Sequence, residues 1–172
     1  MTRPRPNRRL FLGSTLLAWA SLPFVRAARA FPQRNTNYVY PVQRTEEEWR
    51  EMLSEDEYAI LRDGGTEYPQ SSPLWNDYSE GNFTCRGCGL HVYSSNWRVE
   101  IDKGWVFFGH SEPTAVLTDI DMSAPYGGMG AQAPQLIEAH CRDCSSHLGH
   151  VLIVDGQLVH CINGLALKFE AA

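Results

Sequence analysis

The sequence predicts a mostly β domain of antiparallel strands with short helices at its N-terminal side. Three observations support this prediction. Short stretches of alternating apolar residues recur from residue 81 onward, two helix-start patterns precede them, and two Cys-X-X-Cys pairs lie far apart within the β region. About 142 residues follow the first 30, which suits one domain with a single core.

Residues 1–30 have the composition of an export signal. Four arginines in the first nine residues precede an apolar run over residues 10–25, and Ala28-Arg29-Ala30 offers a cleavage pattern. The pair Arg8-Arg9 resembles a twin-arginine signal, whose pathway exports folded chains, so we expect a periplasmic protein. A membrane anchor is the alternative. The run holds about 16 residues and includes Pro23, whereas a spanning helix needs roughly 20.

The charge balance changes once residues 1–30 are removed, because all six of their charged residues are arginines. The rest of the chain has 9 basic and 20 acidic residues, a net charge near −11. Nucleic acid and anionic membrane surfaces would repel such a chain. We therefore expect neither nucleic acid nor membrane as a partner after signal removal.

Two short helices are predicted where the folded domain, residues 45–172, begins. The preceding residues 31–44 lack an apolar period and predict an extended lead-in. Thr45 followed by three glutamates predicts the first helix start, and Ser54 with an acid three residues later predicts the second. Residues 67–78 are turn formers with scattered aromatics, which predict a loop that wraps the domain.

The β region contains nine candidate strands. They lie around Phe83, Val92-Tyr93, Val99-Ile101, Val106-Phe108, Ala115-Leu117, Leu136-Ala139, Val151-Val154, Leu158-His160 and Ala166-Phe169. Gly, Asp, Asn and Pro separate them, which is typical of short antiparallel connections.

The two Cys-X-X-Cys pairs predict a structural zinc site. Cys85 with Cys88 and Cys141 with Cys144 form two turns that could direct four sulfurs at one zinc ion, one per chain. Four thiolates leave no open position on the metal, so such a zinc would stabilise the fold only. Two disulfides, or one redox-active pair, are the alternatives in an oxidising compartment. Local disulfides would close very small loops and stabilise little.

Cys161 is the one cysteine outside these pairs and is a candidate nucleophile. His147 and His150 could activate its thiol or deliver a proton, and Asn163 follows two residues later. Each residue also has an ordinary interpretation. A lone cysteine among apolar residues is often a small core residue, a histidine pair can bind a metal or lie in a turn, and asparagine is a common turn former.

The order of several motifs resembles methionine-R-sulfoxide reductases, the methionine sulfoxide reductase B family. The resemblance runs from about Leu53 to Phe169. It is carried by Leu53-Ser54, Glu57-Tyr58, Arg62, Gly65-Thr66-Glu67, Pro69, Cys85 to Gly89, Tyr93-Ser94-Ser95, Gly104-Trp105, Gly128-Met129, Cys141 to Cys144, His147 to Val151 and Cys161-Ile162-Asn163.

The resemblance implies a fold of two antiparallel β sheets with N-terminal helices and a zinc on the four paired cysteines. It also implies that Cys161 attacks the sulfoxide sulfur while His147 and His150 orient and protonate the departing oxygen. Trp105 would pack against the S-methyl group. A tryptophan next to three apolar residues is otherwise more often a core residue.

The chain departs from the family pattern at three places. The family has Gly-Trp-Pro-Ser-Phe where this chain has Val106-Phe107 after its tryptophan, and Arg-Tyr where this chain has Val159-His160. A second family arginine is replaced by Leu136. A guanidinium near the thiol would lower the thiol pKa, so part of the charge network is missing. His160 and His110 are the candidates to compensate.

Three functions follow from these observations. The first is reduction of methionine-R-sulfoxide, in peptides or free, through a Cys161 sulfenic acid. An external thiol, thioredoxin-like or small, would resolve it because no cysteine is left for an internal disulfide. The second is a non-catalytic, zinc-stabilised binding module, and the third is a thiol enzyme acting on another small substrate such as a glutathione adduct.

Overall fold

The computed structural model describes residues 37–121 and 136–172. The predicted export signal and the Gly128-Met129 motif lie outside the described residues. The signal and the domain limits of 45–172 therefore stay predictions.

The two predicted helices are present with their predicted starts. Helix α1 spans Glu46–Met52 and helix α2 spans Glu55–Leu61, and each begins with a complete capping box. Thr45 and Ser54 are the N-caps, and each side chain accepts a hydrogen bond from a glutamate N–H three residues later. Neither described helix has the length and apolar character that crossing a membrane requires.

Eight strands in the described residues form two antiparallel sheets, which confirms the predicted fold class. They are β1 (Gly81–Cys85), β2 (His91–Ser94), β3 (Val106–Phe108), β4 (Val116–Asp121), β5 (Leu136–Cys141), β6 (His147–Val154), β7 (Gln157–Ile162) and β8 (Leu167–Ala171). The smaller sheet has the order β2-β1-β8, and the larger sheet has the order β3-β7-β6-β5-β4.

One predicted strand is wrong. Residues 99–101 do not form a β-strand, although the neighbouring Arg98 forms an isolated β-bridge with Phe108. The apolar alternation there has another cause, because Val99 and Ile101 pack on a small apolar cluster beneath the larger sheet. Side-chain burial alone produced the pattern that resembled a strand.

The main core lies between the two helices and the two sheets. Trp49 and Leu61 of the helices pack in one cluster with Phe83 of the smaller sheet and with Leu148 and Ile162 of the larger sheet. The second, smaller cluster consists of Ile101, Phe107 and Val159 and lies on the Cys161 side of the larger sheet. This cluster forms the base of the candidate site.

Candidate active site

A row of opposing residues places Cys161 on an inner strand of the larger sheet, beside the central strand β6. Phe107, Cys161, His150, Glu138 and Asp119 are direct partners on successive strands. Directly opposite residues in antiparallel strands project from the same face with Cβ atoms about 5 Å apart. The half-buried thiol of Cys161 is therefore a close neighbour of the His150 imidazole.

Gly149 allows strands β6 and β7 to approach closely beside this pair. A Cβ atom at Gly149 would overlap the carbonyl oxygen of Cys161, and the φ of +156° is one that side chains rarely adopt. The glycine of the His-Leu-Gly-His motif is thus required by the backbone that carries the nucleophile candidate.

Each predicted histidine has a carboxylate partner. His147 Nδ1 lies 2.9 Å from Glu138 Oε1, and His150 Nε2 lies 2.9 Å from Asp121 Oδ2. The two rings lie 5.1 Å apart between centroids. A carboxylate on one ring nitrogen fixes the orientation of an imidazole and favours one tautomer. Each histidine therefore has a defined nitrogen left for a substrate or a proton.

The two imidazoles differ in what their surroundings leave unsatisfied or uncharged. His147 Nε2 is buried and has no hydrogen-bond partner among residues 37–121 and 136–172. A buried polar atom in this state is costly unless a ligand or water pairs with it. Burial lowers the pKa of His150, with its bond to Asp121 opposing that effect, so His150 is neutral at pH 7. A neutral imidazole beside a thiol can accept the thiol proton.

The Cys161 thiol is held in its protonated form. Burial, and then the Glu67 carboxylate, raise the pKa of Cys161 to about 12. Val159 occupies the place of the family arginine, is 1% exposed, and packs with Phe107 and Ile101. The missing guanidinium is therefore replaced by a closed apolar base, and the thiol gains no positive neighbour there.

His160 is directed away from Cys161. Adjacent residues on a strand point to opposite faces, and His160 Nδ1 lies 3.0 Å from the buried Tyr93 hydroxyl. His110 interacts electrostatically with His160, and its ring contacts Trp97. Neither histidine compensates for the missing arginine beside the thiol.

Asn163 and Trp105 are both held by Glu67. The Asn163 Oδ1 atom accepts a hydrogen bond from the Glu67 N–H at 3.1 Å, and its Nδ2 donates to the Leu148 carbonyl at 3.1 Å. Trp105 Nε1 donates to the Glu67 carbonyl at 3.2 Å. Both polar groups of the Asn163 side chain therefore bind main-chain atoms near Cys161. Trp105 packs on the same apolar cluster as Cys161.

Three buried carboxylates that contact the predicted site residues were not predicted as part of the site. Glu67, Asp121 and Glu138 are 6%, 6% and 1% exposed, and each contacts a predicted site residue. Glu67 lies within the Gly65-Thr66-Glu67 motif of the family resemblance, which could have indicated that Glu67 belongs to the site. The motif gave no indication of which residues Glu67 contacts. A buried carboxylate generally requires partners of this kind.

The four paired cysteines form one cluster. Their sulfurs all lie within 4.8 Å of one another, with Cys85 to Cys144 at 3.7 Å and Cys88 to Cys141 at 3.5 Å. A tetrahedral ion with sulfur at about 2.3 Å would separate the sulfurs by about 3.8 Å. The residues fit a metal, and both of these close approaches join one pair to the other, as a shared ion requires and two local disulfides would not.

The two cysteine turns have the same construction. Gly89 N–H donates to the Cys85 carbonyl at 2.8 Å, and Ser145 N–H donates to the Cys141 carbonyl at 3.0 Å. Gly89 and Ser145 both have positive φ values, +80° and +62°. Hydrogen bonds among the four thiols lower the pKa of Cys144 and raise the pKa of Cys85 and Cys141, because a proton kept by one sulfur stabilises the thiolate of another.

Comparison with known proteins identifies the fold family. Residues 53–171 match the SelR domain family. Peptide methionine sulfoxide reductase B3 of Arabidopsis thaliana is 36% identical over 136 residues, which cover 76% of this chain and 72% of the relative. Peptide methionine sulfoxide reductase B5 of Oryza sativa subsp. japonica is 34% identical over 135 residues, 76% of this chain and 92% of the relative.

A bacterial relative shows the same similarity. Peptide methionine sulfoxide reductase MsrB of Agrobacterium fabrum is 34% identical over 134 residues, which cover 75% of this chain and 93% of the relative. The resemblance found in the motif order is confirmed. The chain therefore belongs to the peptide methionine sulfoxide reductase B family, whose members are oxidoreductases that reduce methionine sulfoxide.

Proposed function

We propose that the protein reduces the R epimer of methionine sulfoxide, in peptides or free, with Cys161 as the nucleophile. The observation that carries this proposal is the direct pairing of Cys161 with His150, above the apolar cluster that Trp105 also contacts. A thiol, a proton carrier and an aromatic wall then share one face of the sheet. These are the groups that attack on a sulfoxide sulfur requires.

The reaction transfers one oxygen atom and two electrons. The neutral His150 accepts the Cys161 proton while the thiolate attacks the sulfoxide sulfur, and the proton passes to the sulfoxide oxygen. The protonated oxygen then moves to the Cys161 sulfur as a hydroxyl group, the substrate sulfur–oxygen bond and the transient bond between the two sulfurs break, methionine leaves, and Cys161 becomes a sulfenic acid. His147, held by Glu138, is the second imidazole that can donate to that oxygen.

An external thiol completes the cycle. The chain has five cysteines and four of them form the sulfur cluster, so none remains to pair with Cys161. One reductant thiol attacks the sulfenic sulfur of Cys161, releases water and forms a mixed disulfide. A second reductant thiol then attacks the mixed disulfide and releases the Cys161 thiol. A thioredoxin-like protein or a small thiol fits this requirement.

Trp105 supplies the basis for selecting one epimer. An indole face offers a tight apolar surface for the S-methyl group, and the Nε1 hydrogen bond to Glu67 fixes the ring. The opposite epimer would direct its oxygen at this apolar surface and lose hydrogen bonds there.

The test is turnover of both sulfoxide epimers with dithiothreitol, in the wild type and in Cys161→Ser. R-specific turnover that disappears in Cys161→Ser is the expected result. Equal turnover of both epimers would remove the stereochemical part of the proposal. Turnover that survives in Cys161→Ser would remove the nucleophile.

A non-catalytic binding module is the second candidate function. The raised pKa of Cys161 and the buried Val159 in place of a cation favour it, because both reduce thiolate formation. Absence of turnover in folded, metal-loaded protein that still binds a methionine sulfoxide peptide would support this alternative.

We further propose that the cysteine cluster holds one structural zinc ion. Four sulfur ligands and tetrahedral spacing favour zinc over harder cations. Elemental analysis of purified protein should find one zinc per chain. Iron, or no metal in folded protein, would contradict the assignment.

We also propose a periplasmic location reached through the twin-arginine pathway, on the composition of residues 1–30. Cell fractionation of the full chain and of an Arg8→Lys, Arg9→Lys variant tests it. Export of the wild type and retention of the variant is the expected outcome. The same distribution of wild type and variant between the cell fractions would contradict export through the twin-arginine pathway.

A further inference from the structure

Residues 67–72, here called the strap, pack tightly against two parts of the site. The Gln70 N–H donates to the Gly104 carbonyl at 2.8 Å, directly before Trp105. A Cβ atom at Gly104 would lie 2.8 Å from the Gln70 nitrogen, and one at Gly164 would overlap the Ser72 hydroxyl. The strap therefore joins the segment that carries Trp105 to the turn that follows Cys161.

Glu67 makes four hydrogen bonds at the start of the strap. Its N–H donates to Asn163 Oδ1 at 3.1 Å, and its carbonyl accepts from Trp105 Nε1 at 3.2 Å. Its carboxylate accepts from the Gly164 N–H at 2.6 Å and from the Leu165 N–H at 3.0 Å. The residue is 6% exposed, and the bonds to Asn163 and Gly164 are fully buried, so bulk water competes little for them.

We propose that Glu67 is a positioning residue of the reductase reaction, which sets the separation between the Trp105 indole and the Cys161 thiol. The inference rests on the proposed function. Trp105 precedes strand β3 and Cys161 lies on strand β7, and Glu67 bonds to the indole and to the turn after the thiol. The Glu67 side chain anchors the strap to the turn after Cys161, and the Glu67 carbonyl holds the Trp105 indole.

The Glu67 carboxylate also acts on the thiol through its charge. Burial raises the pKa of Glu67, and the amides of Leu165 and Gly164 oppose that effect by stabilising the carboxylate. The carboxylate in turn adds to burial in raising the pKa of Cys161. Among residues 37–121 and 136–172, the titratable groups around Cys161 are Glu67 from the strap, His150 opposite on β6, and His147, Glu138 and Asp121 behind the imidazoles.

Two substitutions separate the geometric role from the charge. Glu67→Asp keeps the charge but is one methylene shorter and cannot reach both amides. Glu67→Gln removes the charge and keeps the length, although its NH2 group can no longer accept the second of the two amide N–H groups. Glu48→Gln is the matched control, because the exposed Glu48 carboxylate also accepts a backbone N–H, that of Thr45 at 2.8 Å, far from the site.

The first measurement is steady-state kinetics with a methionine-R-sulfoxide peptide. We expect Glu67→Asp to raise KM about tenfold or more with a smaller change in kcat, because the aromatic wall is displaced before chemistry. In a Trp105→Phe background, which lacks the Nε1–H, the same change should raise KM less than about threefold. Glu48→Gln should leave both constants unchanged.

The second measurement needs no turnover. Iodoacetamide labelling of Cys161, localised by mass spectrometry in metal-loaded protein, should shift to lower pH by about one unit in Glu67→Gln. Glu67→Asp and Glu48→Gln should not shift it. If the wild type reduces no sulfoxide, the proposed function fails, and this labelling still decides whether the carboxylate acts on the thiol.

The inference is overturned if Glu67→Asp raises KM equally in the wild-type and Trp105→Phe backgrounds. It is also overturned if Glu67→Gln leaves the labelling profile unchanged. Thermal unfolding and metal content of every variant identify loss of fold. If Glu67→Asp does not fold, Glu67→Gln provides the coupling test in the two tryptophan backgrounds, because its single amide oxygen keeps one of the two bonds to Gly164 and Leu165 and loses the other.

Discussion

Restoring the family arginine next to the nucleophile should damage this protein. Val159 is 1% exposed, and its neighbours Phe107 and Ile101 are 1% and 8% exposed, so a guanidinium at position 159 has neither water nor space. Overpacking costs about 1–3 kcal/mol, and an unpaired buried cation costs several more. We expect Val159→Arg to lower the free energy of unfolding by about 4 kcal/mol or more.

Thermal unfolding with turnover measured in parallel provides the assay. For a domain of this size, 4 kcal/mol corresponds to a Tm loss of roughly 10 °C or more. Leu158→Arg is the matched control, because Leu158 is the preceding residue of the same strand and is 66% exposed. That variant should stay within about 0.5 kcal/mol of the wild type.

A double variant tests whether the apolar base is the cause. Phe107→Ser removes the ring that fills the space beside residue 159. The double variant Phe107→Ser, Val159→Arg should therefore lose less free energy of unfolding than the sum of the two single losses. The reasoning is refuted if Val159→Arg alone unfolds like the wild type and its Cys161 reacts faster with iodoacetamide. That result would show that position 159 accepts a cation without rearrangement.

Three further outcomes follow from the geometry. Labelling of Cys161 by iodoacetamide should rise about tenfold per pH unit from pH 7 to pH 10 without a plateau, because its pKa lies at about 12, and a plateau near pH 9 would contradict this. Glu138→Gln should reduce kcat by about tenfold or more with a smaller effect on KM, since His147 loses the carboxylate that orients it, and unchanged kinetics would remove His147 from the mechanism. Cys141→Ser should lower both metal content and thermal stability, measured by elemental analysis and calorimetry, whereas full stability without metal would show that the cluster is not structural.

Local patterns explain why the helices and the cysteine cluster were predictable. The two helices begin at Thr45 and Ser54 because each capping box involves residues only three apart. The cysteine turns likewise form within five residues, and only their meeting requires the fold. Residues 99–101 failed as a strand because burial against the small apolar cluster produced the same alternation.

The sequence by itself determined the fold class, the cysteines of the four-sulfur cluster, the family and the candidate nucleophile, because capping residues, cysteine spacing and motif order can be read along the chain. The tertiary structure decided which groups surround that candidate. It placed His150 opposite Cys161, joined Glu67 to both Trp105 and Asn163, and closed an apolar base around Val159. These contacts join residues far apart in the chain, so only strand register and packing could bring them together.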